Sequence, residues 1–410
     1  MSKYTVCGID IGNSSVKTVI ADMNTETGRP RIIGIGNAQS NGLRRGIVVD
    51  MEEVIKSIKQ SVSQAERMSG GSVDRAYVSI SGPYIKTQLS RGVVAVSRAD
   101  GEISQNDIDR VVEAASTVSL PQNYEIIHII PKNFIIDGAE VVKNPLGMKG
   151  IRLEVEVLLI EGLSPYIHNL TKAVQNNGVE IAELIYSPLA ASKSMLDKHQ
   201  REYGVLLLDL GGGVTSMALF HEGDLMHTAI LPVGAKHVTN DLAIAFRTSI
   251  DNAELIKNTH GFIGTAEKNN KKENIDLSDI TQNEDMTVPR KHIAKIIDAR
   301  IGELFDVIDA ELKKTPGIKV LPAGVVLAGG GANLAGIDVF AKNRLGLSAK
   351  IGGSYFMEGL SEAVIDPAFA VAVGLVVWGF EEEDHPRRSL AGGTSNILKR
   401  AGKWFKNFLP

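Results

Sequence analysis

Apolar runs that end in an aspartate and a glycine turn divide the chain, and their spacing predicts hairpins. Residues 6–11 and 15–22 are two such runs, and small residues separate them, as in two strands joined by a tight turn. Residues 206–210 and 216–220 repeat this order about two hundred positions later. The pattern predicts one unit of strand, glycine turn and strand that occurs twice.

A third strand and a helix follow each hairpin. The strands are predicted at residues 31–39 in the first unit and 225–230 in the second. Apolar side chains three or four positions apart then predict helices over residues 51–68 and 238–246. Two copies of this order are typical of a duplicated α/β lobe. We therefore predict an α/β fold of two related lobes.

Residues 84–160 interrupt the first lobe with a different pattern. A helix is predicted over residues 104–116, with Ser104 as its cap. Strands are predicted at residues 125–131, 134–136 and 151–160. These elements predict a compact α+β insert.

The breaks between these patterns predict the domain organisation. The predicted units are a first lobe of residues 1–83 and 161–203, an insert of residues 84–160, a second lobe of residues 204–242 and 315–380, an outer subdomain of the second lobe at residues 243–314, a linker at residues 381–393 and a terminal helix at residues 394–410.

The composition is that of a globular protein, and it excludes some functions. Of the 410 residues, 43% are hydrophobic and 22% are charged, which is ordinary for a folded chain. The net charge of −4 is opposite to the Lys and Arg excess of nucleic-acid-binding proteins, so no nucleic-acid partner is expected. The N-terminus lacks a signal-peptide pattern, and no apolar run reaches the roughly 18 residues that span a bilayer. A cytoplasmic location is expected, with Cys7 as a buried hydrophobic residue.

The turn of each repeat has the composition of a phosphate-binding loop. Residues 10–15, the first glycine loop, and residues 209–215, the second glycine loop, each begin with a strand-terminal aspartate. Glycine lets backbone amides approach a polyphosphate, and the aspartate faces the metal that the phosphates carry. Asp10 and Asp209 are therefore candidate Mg²⁺ ligands through water; alternatively, each caps its own turn. Two such loops, facing each other, would hold one nucleotide between the lobes.

Further polar residues complete the candidate nucleotide site. Lys17 lies on the next strand and can reach back toward a β-phosphate. Glu254 and Lys257 share a face of a predicted helix, where they either bind a ribose and border the base or form a solvated ion pair. A third glycine run ends a strand, where backbone can approach a base or an α-phosphate. The predicted cofactor-binding residues are Gly12, Asn13, Ser14, Lys17, Gly211, Gly212, Gly213, Thr215, Glu254, Lys257, Gly329, Gly330, Gly331 and Asn333.

The last residues have the pattern of a membrane-surface helix. Residues 381–393 combine acidic residues, a proline and paired glycines, which is typical of a flexible linker. After them, apolar side chains recur at helical spacing with basic ones at the rim, which indicates an in-plane helix on anionic lipid. A terminal helix docked on the protein's own core is the alternative. The predicted membrane residues are Ile397, Leu398, Trp404, Phe405, Phe408, Leu409, Lys399, Arg400, Lys403 and Lys406.

Five motifs together resemble those of the actin, heat-shock-70 and sugar-kinase superfamily. They are the two glycine loops, S-P-L-A-A at residues 187–191, G-G-G-A-N at 329–333 and D-P-A-F-A-V-A-V-G at 366–374. Four segments of the insert resemble the subdomain peculiar to the FtsA family, the cell-division actins of bacteria. These segments are I-I-H-I-I-P at 126–131, F-I-I-D-G at 134–138, N-P-L-G-M at 144–148 and R-L-E at 152–154. The resemblance covers nearly the whole chain.

The resemblance implies an actin-like fold, with ribonuclease-H-like mixed sheets in both lobes and an FtsA-type insert. It implies a protein that binds ATP with Mg²⁺, polymerises with other protomers and anchors FtsZ on the cytoplasmic side of the inner membrane at the division septum. It also implies recruitment of later divisome proteins, and binding of the FtsZ C-terminal tail by the outer subdomain, residues 243–314. Because a lone amphipathic helix binds lipid weakly, a filament would gain affinity from its many anchors.

Two departures from related proteins bear on hydrolysis. Heat-shock-70 proteins and bacterial actins carry a glutamate before the proline of the central helix, where it can polarise the attacking water; this chain has Ser187 there. After the second glycine run, bacterial relatives often show T-T-D, and this chain has V-T-S at residues 214–216. We predict tight nucleotide binding and, at most, weak ATPase activity.

Three other functions found in this superfamily are alternatives. A PilM-type adaptor of pilus assembly has a similar insert but generally lacks a detachable amphipathic tail. A small-molecule kinase needs a base near the γ-phosphate, and no aspartate or histidine stands out beside either loop as that base. A heat-shock-70 chaperone needs a C-terminal peptide-binding domain, for which only the short tail is left.

Overall fold

The computed structural model describes residues 5–24, 27, 29–117, 120–264, 274–281, 287–315, 320–353, 357–359 and 365–383. The predicted terminal helix and all ten predicted membrane residues, from Ile397 to Leu409, lie outside the described residues. Most of the predicted linker also lies outside them.

Nineteen strands are assigned within the described residues. They are β1 (Thr5–Ile11), β2 (Ser15–Met23), β3 (Pro30–Gln39), β4 (Leu43–Arg44), β5 (Ile47–Val48), β6 (Arg75–Ile80), β7 (Ile85–Ala95), β8 (Tyr124–Ile136), β9 (Glu140–Val142), β10 (Arg152–Leu163), β11 (Glu180–Tyr186), β12 (Val205–Leu210), β13 (Thr215–His221), β14 (Asp224–Leu231), β15 (Asn274–Asp276), β16 (Thr287–Pro289), β17 (Val325–Ala328), β18 (Ala349–Ile351) and β19 (Glu358–Gly359).

The helices are α1 (Met51–Ser69), α2 (Gln105–Ser116), α3 (Ser164–Gln175), α4 (Ser187–Met195), α5 (Lys198–Tyr203), α6 (Ala235–Phe246), α7 (Ile250–His260), α8 (Ser278–Thr281), α9 (Arg290–Leu312), α10 (Ile337–Leu345) and α11 (Ala370–Glu383). Two 3₁₀ turns, η1 (Gly330–Asn333) and η2 (Pro367–Phe369), lie beside the glycine-rich segments. In the described part of the chain, no helix is both long and apolar enough to cross a bilayer.

Each lobe contains one mixed sheet, and the two sheets have the same strand order when one of them is listed from its other edge. The first sheet runs β11-β6-β1-β2-β3-β19 and the second runs β14-β13-β12-β17-β18. In both, three sequential strands are antiparallel neighbours, and the first of them also pairs in parallel with a later strand. The predicted duplication of an α/β lobe is therefore confirmed.

The amphipathic pattern of residues 51–68 gives α1, which covers the first sheet. Val54, Ile58 and Val62 form its buried stripe, so the apolar face packs inward. Asp50 caps the helix by accepting two backbone N–H bonds, and Gly70 ends it in the left-handed conformation. The helix fixes β2 and β3 behind the first glycine loop.

The insert is a four-stranded antiparallel sheet, ordered β7-β10-β8-β9, with α2 on one face. Ser104 caps α2 in a capping box with Asp107, as expected. The prediction of two strands at residues 125–131 and 134–136 was wrong, because β8 is continuous. A register shift opposite Glu156 and Val157 places a bulge next to Pro131, and a bulge lets a strand pass a proline.

Helices α4 and α11 lie side by side, and we call them the α4–α11 pair. A side chain at Gly374 of α11 would collide with the backbone carbonyl of Ala190 in α4, so the helices touch backbone to backbone. Near the other end, the Lys193 ammonium bonds the Glu381 carboxylate at 2.7 Å, with only 2% of the lysine side chain exposed. The same ammonium lies 5.8 Å from the ring centroid of Trp378. The pair is therefore closely interlocked.

Two late segments lie on the first lobe, which corrects the predicted division. Strand β19 pairs with β3 at the edge of the first sheet, and α11 packs against β1, β2 and β6 of the same sheet. The sequence-based division placed residues 315–380 in the second lobe. A two-residue edge strand and a helix that is apolar on all sides carry no local signal of the lobe they join.

Candidate nucleotide site

A cavity of about 660 Å³ lies where the two glycine loops meet. Its volume is in the range of small-molecule and cofactor sites. Asp10 and Asp209 lie at the ends of the equivalent strands β1 and β12 and both line it. The duplicated topology therefore brings the two predicted acidic residues to one place.

Asp10 is half-buried and is held by a residue that the sequence analysis did not single out. Ser79 of β6 donates its hydroxyl to Asp10 Oδ1 at 2.8 Å and accepts the backbone N–H of Ile11 at 3.0 Å. Burial raises the pKa of Asp10, while Lys17 and the Ser79 hydroxyl act in the opposite direction. Because β6 runs parallel to β1, the position of Ser79 near the carboxyl end of β6 is a signal that could have identified it.

Asp209 is also half-buried, and the loss of water around its carboxyl group, together with the nearby charge of Asp10, raises its pKa to about 7. The amides of the turns bond backbone carbonyls: Gly12 donates to Ser15 and Gly211 donates to Asp209, both at 3.1 Å. Among the described residues, neither carboxylate accepts a hydrogen bond from an amide of its own turn. Two half-buried carboxyl groups beside one cavity are a donor set that fits a hydrated Mg²⁺.

The first glycine loop lines the cavity, but the side chain of Asn13 is bonded to another turn of the same lobe. Gly12, Asn13 and Ser14 all line the cavity. However, the Asn13 Oδ1 accepts the backbone N–H of Gly46 at 3.0 Å. Lys17 also lines the cavity, and its ammonium bonds Ser15 Oγ at 2.6 Å. The hydrogen bond from Gly46 to Asn13 therefore holds the first glycine loop against the turn that contains Gly46.

Only part of the second glycine loop faces the cavity. Gly211 and Gly212 line it, and so do Val214 and Ser216, but Gly213 and Thr215 are not among the lining residues described. Gly213 packs on the Asn13 side chain, and Thr215 is fully buried. Since Thr215 begins β13, its side chain points to the opposite face from those of its two neighbours. The prediction that Gly213 and Thr215 donate to the phosphates is corrected by these positions.

Glu254 and Lys257 form an ion pair, and this pair also lines the cavity. Their charged groups lie 2.6 Å apart, and the Thr239 hydroxyl donates to the same Glu254 oxygen at 2.5 Å. Burial raises the pKa of Glu254, but Lys257 and the hydrogen bonds outweigh it, so the pKa is lowered. Both residues line the cavity. The carboxylate is thus held ionised where it can accept a hydroxyl.

The third glycine run closes another side of the cavity. Gly329, Gly330, Gly331 and Asn333 all line it. The Asn333 amide donates to Asp366 Oδ1 at 2.8 Å, which joins the G-G-G-A-N and D-P-A motifs. Ala370, in the first turn of α11, lines the cavity next to this contact.

Ser187 stands at the start of α4 and lines the cavity. Its hydroxyl donates to the carbonyl of Ile80 at 3.1 Å. Among the described lining residues there is no histidine, and the acidic ones are Asp10, Asp209 and Glu254. The chemistry of this wall is therefore that of binding and orientation, with few candidate proton acceptors.

Two family models match this chain. "Cell division protein FtsA" matches residues 206–374, and "SHS2 domain inserted in FTSA" matches residues 82–161. Full-length similarity extends to proteins named "Cell division protein FtsA". The one from Borreliella burgdorferi is 36% identical over 93% of this chain and 92% of its own length. The one from Bacillus subtilis is 37% identical over 90% and 82%, and that from Escherichia coli is 31% identical over 98% and 97%.

Solved structures with the same fold are more distant in sequence. The "PilM-PilN type IV pilus biogenesis complex" matches with a TM-score of 0.65 at 19% identity, over 91% of this chain and 98% of that one. MreB5 of Spiroplasma citri bound to ADP matches with a TM-score of 0.54 at 15% identity, over 93% and 96%. At these identities the likeness shows the fold, which is actin-like.

Proposed function

This chain belongs to the FtsA family of cell-division proteins, and we propose that it binds Mg-ATP between its lobes, polymerises on the inner face of the cell membrane and anchors FtsZ there. In this proposal it also recruits later divisome proteins at the septum. The observation that carries the proposal is the convergence of two glycine loops and the Glu254–Lys257 pair on one cavity. The remaining parts rest on family membership and on the terminal sequence.

The roles of the site residues follow from their positions. The backbone amides of Asn13, Ser14 and Gly212 bind the phosphates, and Lys17 neutralises their charge. Asp10 and Asp209 hold the water shell of Mg²⁺, and Glu254 accepts a ribose hydroxyl. Binding of a fluorescent ATP analogue, measured with and without Mg²⁺, tests this assignment. Mg-dependent binding that ATP and ADP displace supports it; no saturable binding would overturn it.

We expect hydrolysis to be slow. Ser187 replaces the glutamate that polarises water in related ATPases, and its hydroxyl is engaged by the Ile80 carbonyl. Ser216, which lines the cavity, stands where relatives often have an aspartate. A phosphate-release assay should give a turnover below about one per second, at the low end for enzymes. A Ser187→Glu variant with faster turnover would identify the missing group; fast turnover in the unchanged protein would contradict the proposal.

The terminal helix provides the membrane anchor in this proposal. Its apolar stripe includes Trp404 and Phe405, and Lys403 and Lys406 lie at its rim, which suits anionic lipid. Co-sedimentation with vesicles tests it, using the full chain and a chain that ends at Glu383. The full chain should bind vesicles with anionic lipid more tightly than neutral ones, and the truncated chain should bind neither. Equal binding by both chains would remove the terminal helix as the anchor, and binding by neither chain would favour a helix docked on the protein's own core.

Polymerisation should strengthen this anchorage, because each added protomer adds one weak anchor. Electron microscopy on lipid monolayers with ATP separates the two steps. Filaments on lipid with the full chain, and none with the truncated chain, support a coupled process. Single particles on lipid under all nucleotide conditions would remove polymerisation from the proposal.

The outer subdomain, residues 243–314, is the proposed site of the FtsZ C-terminal tail. A fluorescent peptide of that tail tests the interaction by anisotropy, with a scrambled peptide as the matched control. Cross-links from the bound peptide should map to residues 243–314. Cross-links confined to the insert would move the site, and equal binding of the scrambled peptide would remove it.

A further inference from the structure

The start of α6 is joined to the second glycine loop through the backbone. The amide of Ala235 donates to the carbonyl of Gly211 at 2.9 Å, and that of Lys236 donates to Gly212 at 2.8 Å. Gly234 caps the helix, and a side chain there would lie 2.5 and 2.6 Å from the same two carbonyl oxygens. The first turn of α6 therefore moves with the second glycine loop.

From this turn, one side chain crosses to the other lobe. Lys236 Nζ donates to the backbone carbonyl of Asn13 in the first glycine loop at 2.7 Å, across 223 residues of sequence. Asn13 is itself fixed to its own lobe, because its side-chain oxygen accepts the amide of Gly46. The bond thus connects two positions that are each firmly held by their own lobe.

The two loops touch at the point that this bond spans. A side chain on Gly212 would collide with the Ser14 hydroxyl, and one on Gly213 would lie 2.6 Å from the Asn13 side chain. Contact of this kind exists only while the lobes are at their present separation. A change in the angle between the lobes would break the Lys236 bond and separate the loops together.

Lys236 lies next to the cavity and is not one of the residues that line it. The adjacent Ala235 lines the cavity, and the charged groups that face the ammonium are Glu254 and Lys257. Lys236 is exposed along much of its length, but partial burial of its ammonium lowers its pKa, and the Glu254 carboxylate opposes this effect. The Lys236 ammonium therefore contacts the first glycine loop and is not placed to contact the phosphates.

We propose that Lys236 is a positioning residue that clasps the first glycine loop to the second, keeps the cleft closed and so slows release of the bound nucleotide. This inference rests on the proposed nucleotide function of the cavity. The acceptor is a main-chain carbonyl, so the clasp depends on a donor at position 236 and on the closed spacing of the loops.

The test compares the unchanged protein with Lys236→Met, Lys236→Arg and the control Lys342→Met, which removes an exposed lysine of α10. Stopped-flow displacement of a fluorescent ATP analogue measures release, and mixing measures association. Lys236→Met should release the analogue about tenfold faster, the lower end for a charge-assisted hydrogen bond. Association should change little. Lys236→Arg should recover most of the slow release, and Lys342→Met should match the unchanged protein.

Cleft opening is measured independently by spin-label distances between Glu52→Cys and Asp251→Cys, which are exposed positions on α1 and α7. Without nucleotide, Lys236→Met should shift or broaden this distance. Unchanged release together with an unchanged distance would overturn the inference. Faster release that accompanies only a lower melting temperature, at an unchanged distance, would make Lys236 merely structural and would also overturn it.

The two proposals fail in distinguishable ways. If the unchanged protein binds no nucleotide, the proposed function falls, and the spin-label distance alone decides whether Lys236 holds the lobes together. If nucleotide binds but neither release nor distance depends on position 236, only the clasp is lost.

Discussion

Replacing Asp209 by asparagine should stabilise the nucleotide-free protein while weakening the Mg-dependent nucleotide binding that we propose. Burial and the charge of Asp10 raise the pKa of Asp209 from its ordinary 3.8 to about 7. Between these two values the folded state binds more protons than the unfolded state. Stability therefore falls as the pH rises through this window, and the full penalty is present above it.

The size of the effect follows from that rise in the pKa of Asp209. Each pKa unit corresponds to about 1.4 kcal/mol, so the rise from 3.8 to about 7 gives at most about 4 kcal/mol. Asparagine removes the charge, but an amide without a partner at this half-buried position costs about 1 to 3 kcal/mol. We expect a net gain of about 2 kcal/mol at pH 8 that disappears near pH 5.

Urea denaturation at several pH values, without Mg²⁺ or nucleotide, measures this gain. Asp109→Asn, which changes an exposed aspartate of α2, controls for the loss of one charge. Asp10→Asn should reproduce part of the gain, because the Asp10 charge contributes to the raised pKa of Asp209. Added Mg-ATP should stabilise the unchanged protein more than Asp209→Asn. A gain that is absent at high pH, or equal at all pH values, would refute the reasoning.

Three further substitutions have distinct expected outcomes. Gly234→Ala, which forces a methyl group against two carbonyl oxygens of the second glycine loop, should lower the free energy of unfolding by about 1 to 3 kcal/mol. The control Gly302→Ala, in open space on α9, should raise it by about 1 kcal/mol, and similar effects in urea would contradict the collision. Glu254→Gln should weaken ATP binding about tenfold and leave tripolyphosphate binding unchanged by calorimetry; equal losses would remove its ribose role. Glu381→Gln should lower the free energy of unfolding at pH 7 by about 2 kcal/mol, and Lys193→Met by less, because the glutamine variant keeps a buried cation without this partner. Burial lowers the pKa of Lys193 below the ordinary lysine value of 10.5, so the stability of the folded state rises with pH as the pH approaches 10.5. The stability deficit of Glu381→Gln should therefore become smaller in that pH range. A deficit that is constant with pH would contradict this reasoning.

The local parts of the fold were predictable because the signals that specify them are local. The hairpins around the glycine loops and helix α1 appear in the periodicity of their own residues, and Ser104 marks the start of α2. The return of β19 and α11 to the first lobe was not predictable, since it is decided by contacts far away in sequence. The division of β8 at Pro131 failed because a bulge, which leaves no clear sequence mark, accommodates the proline.

The candidate site shows the same limit. Twelve of the fourteen predicted cofactor-binding residues line the cavity, and the two exceptions are Gly213 and Thr215. Thr215 does not face the cavity because side chains alternate along β13. This could have been predicted from the sequence if the strand had been assumed to begin at Thr215. Ser79 and Lys236 were missed because they reach the loops from other elements. No motif marks a residue whose role is to hold a neighbour in place.

The α4–α11 pair makes the site sensitive to tension on the C-terminal end of the chain. Fourteen residues of α11 span about 21 Å at 1.5 Å per residue, from Ala370 in the cavity wall to Glu383. Since Gly374 leaves no clearance against Ala190, an axial pull on α11 is resisted by α4 rather than absorbed by sliding. A bead, tag or surface tethered beyond Glu383 would therefore load the wall around the nucleotide, and single-molecule pulling from that end should alter how long a nucleotide stays bound.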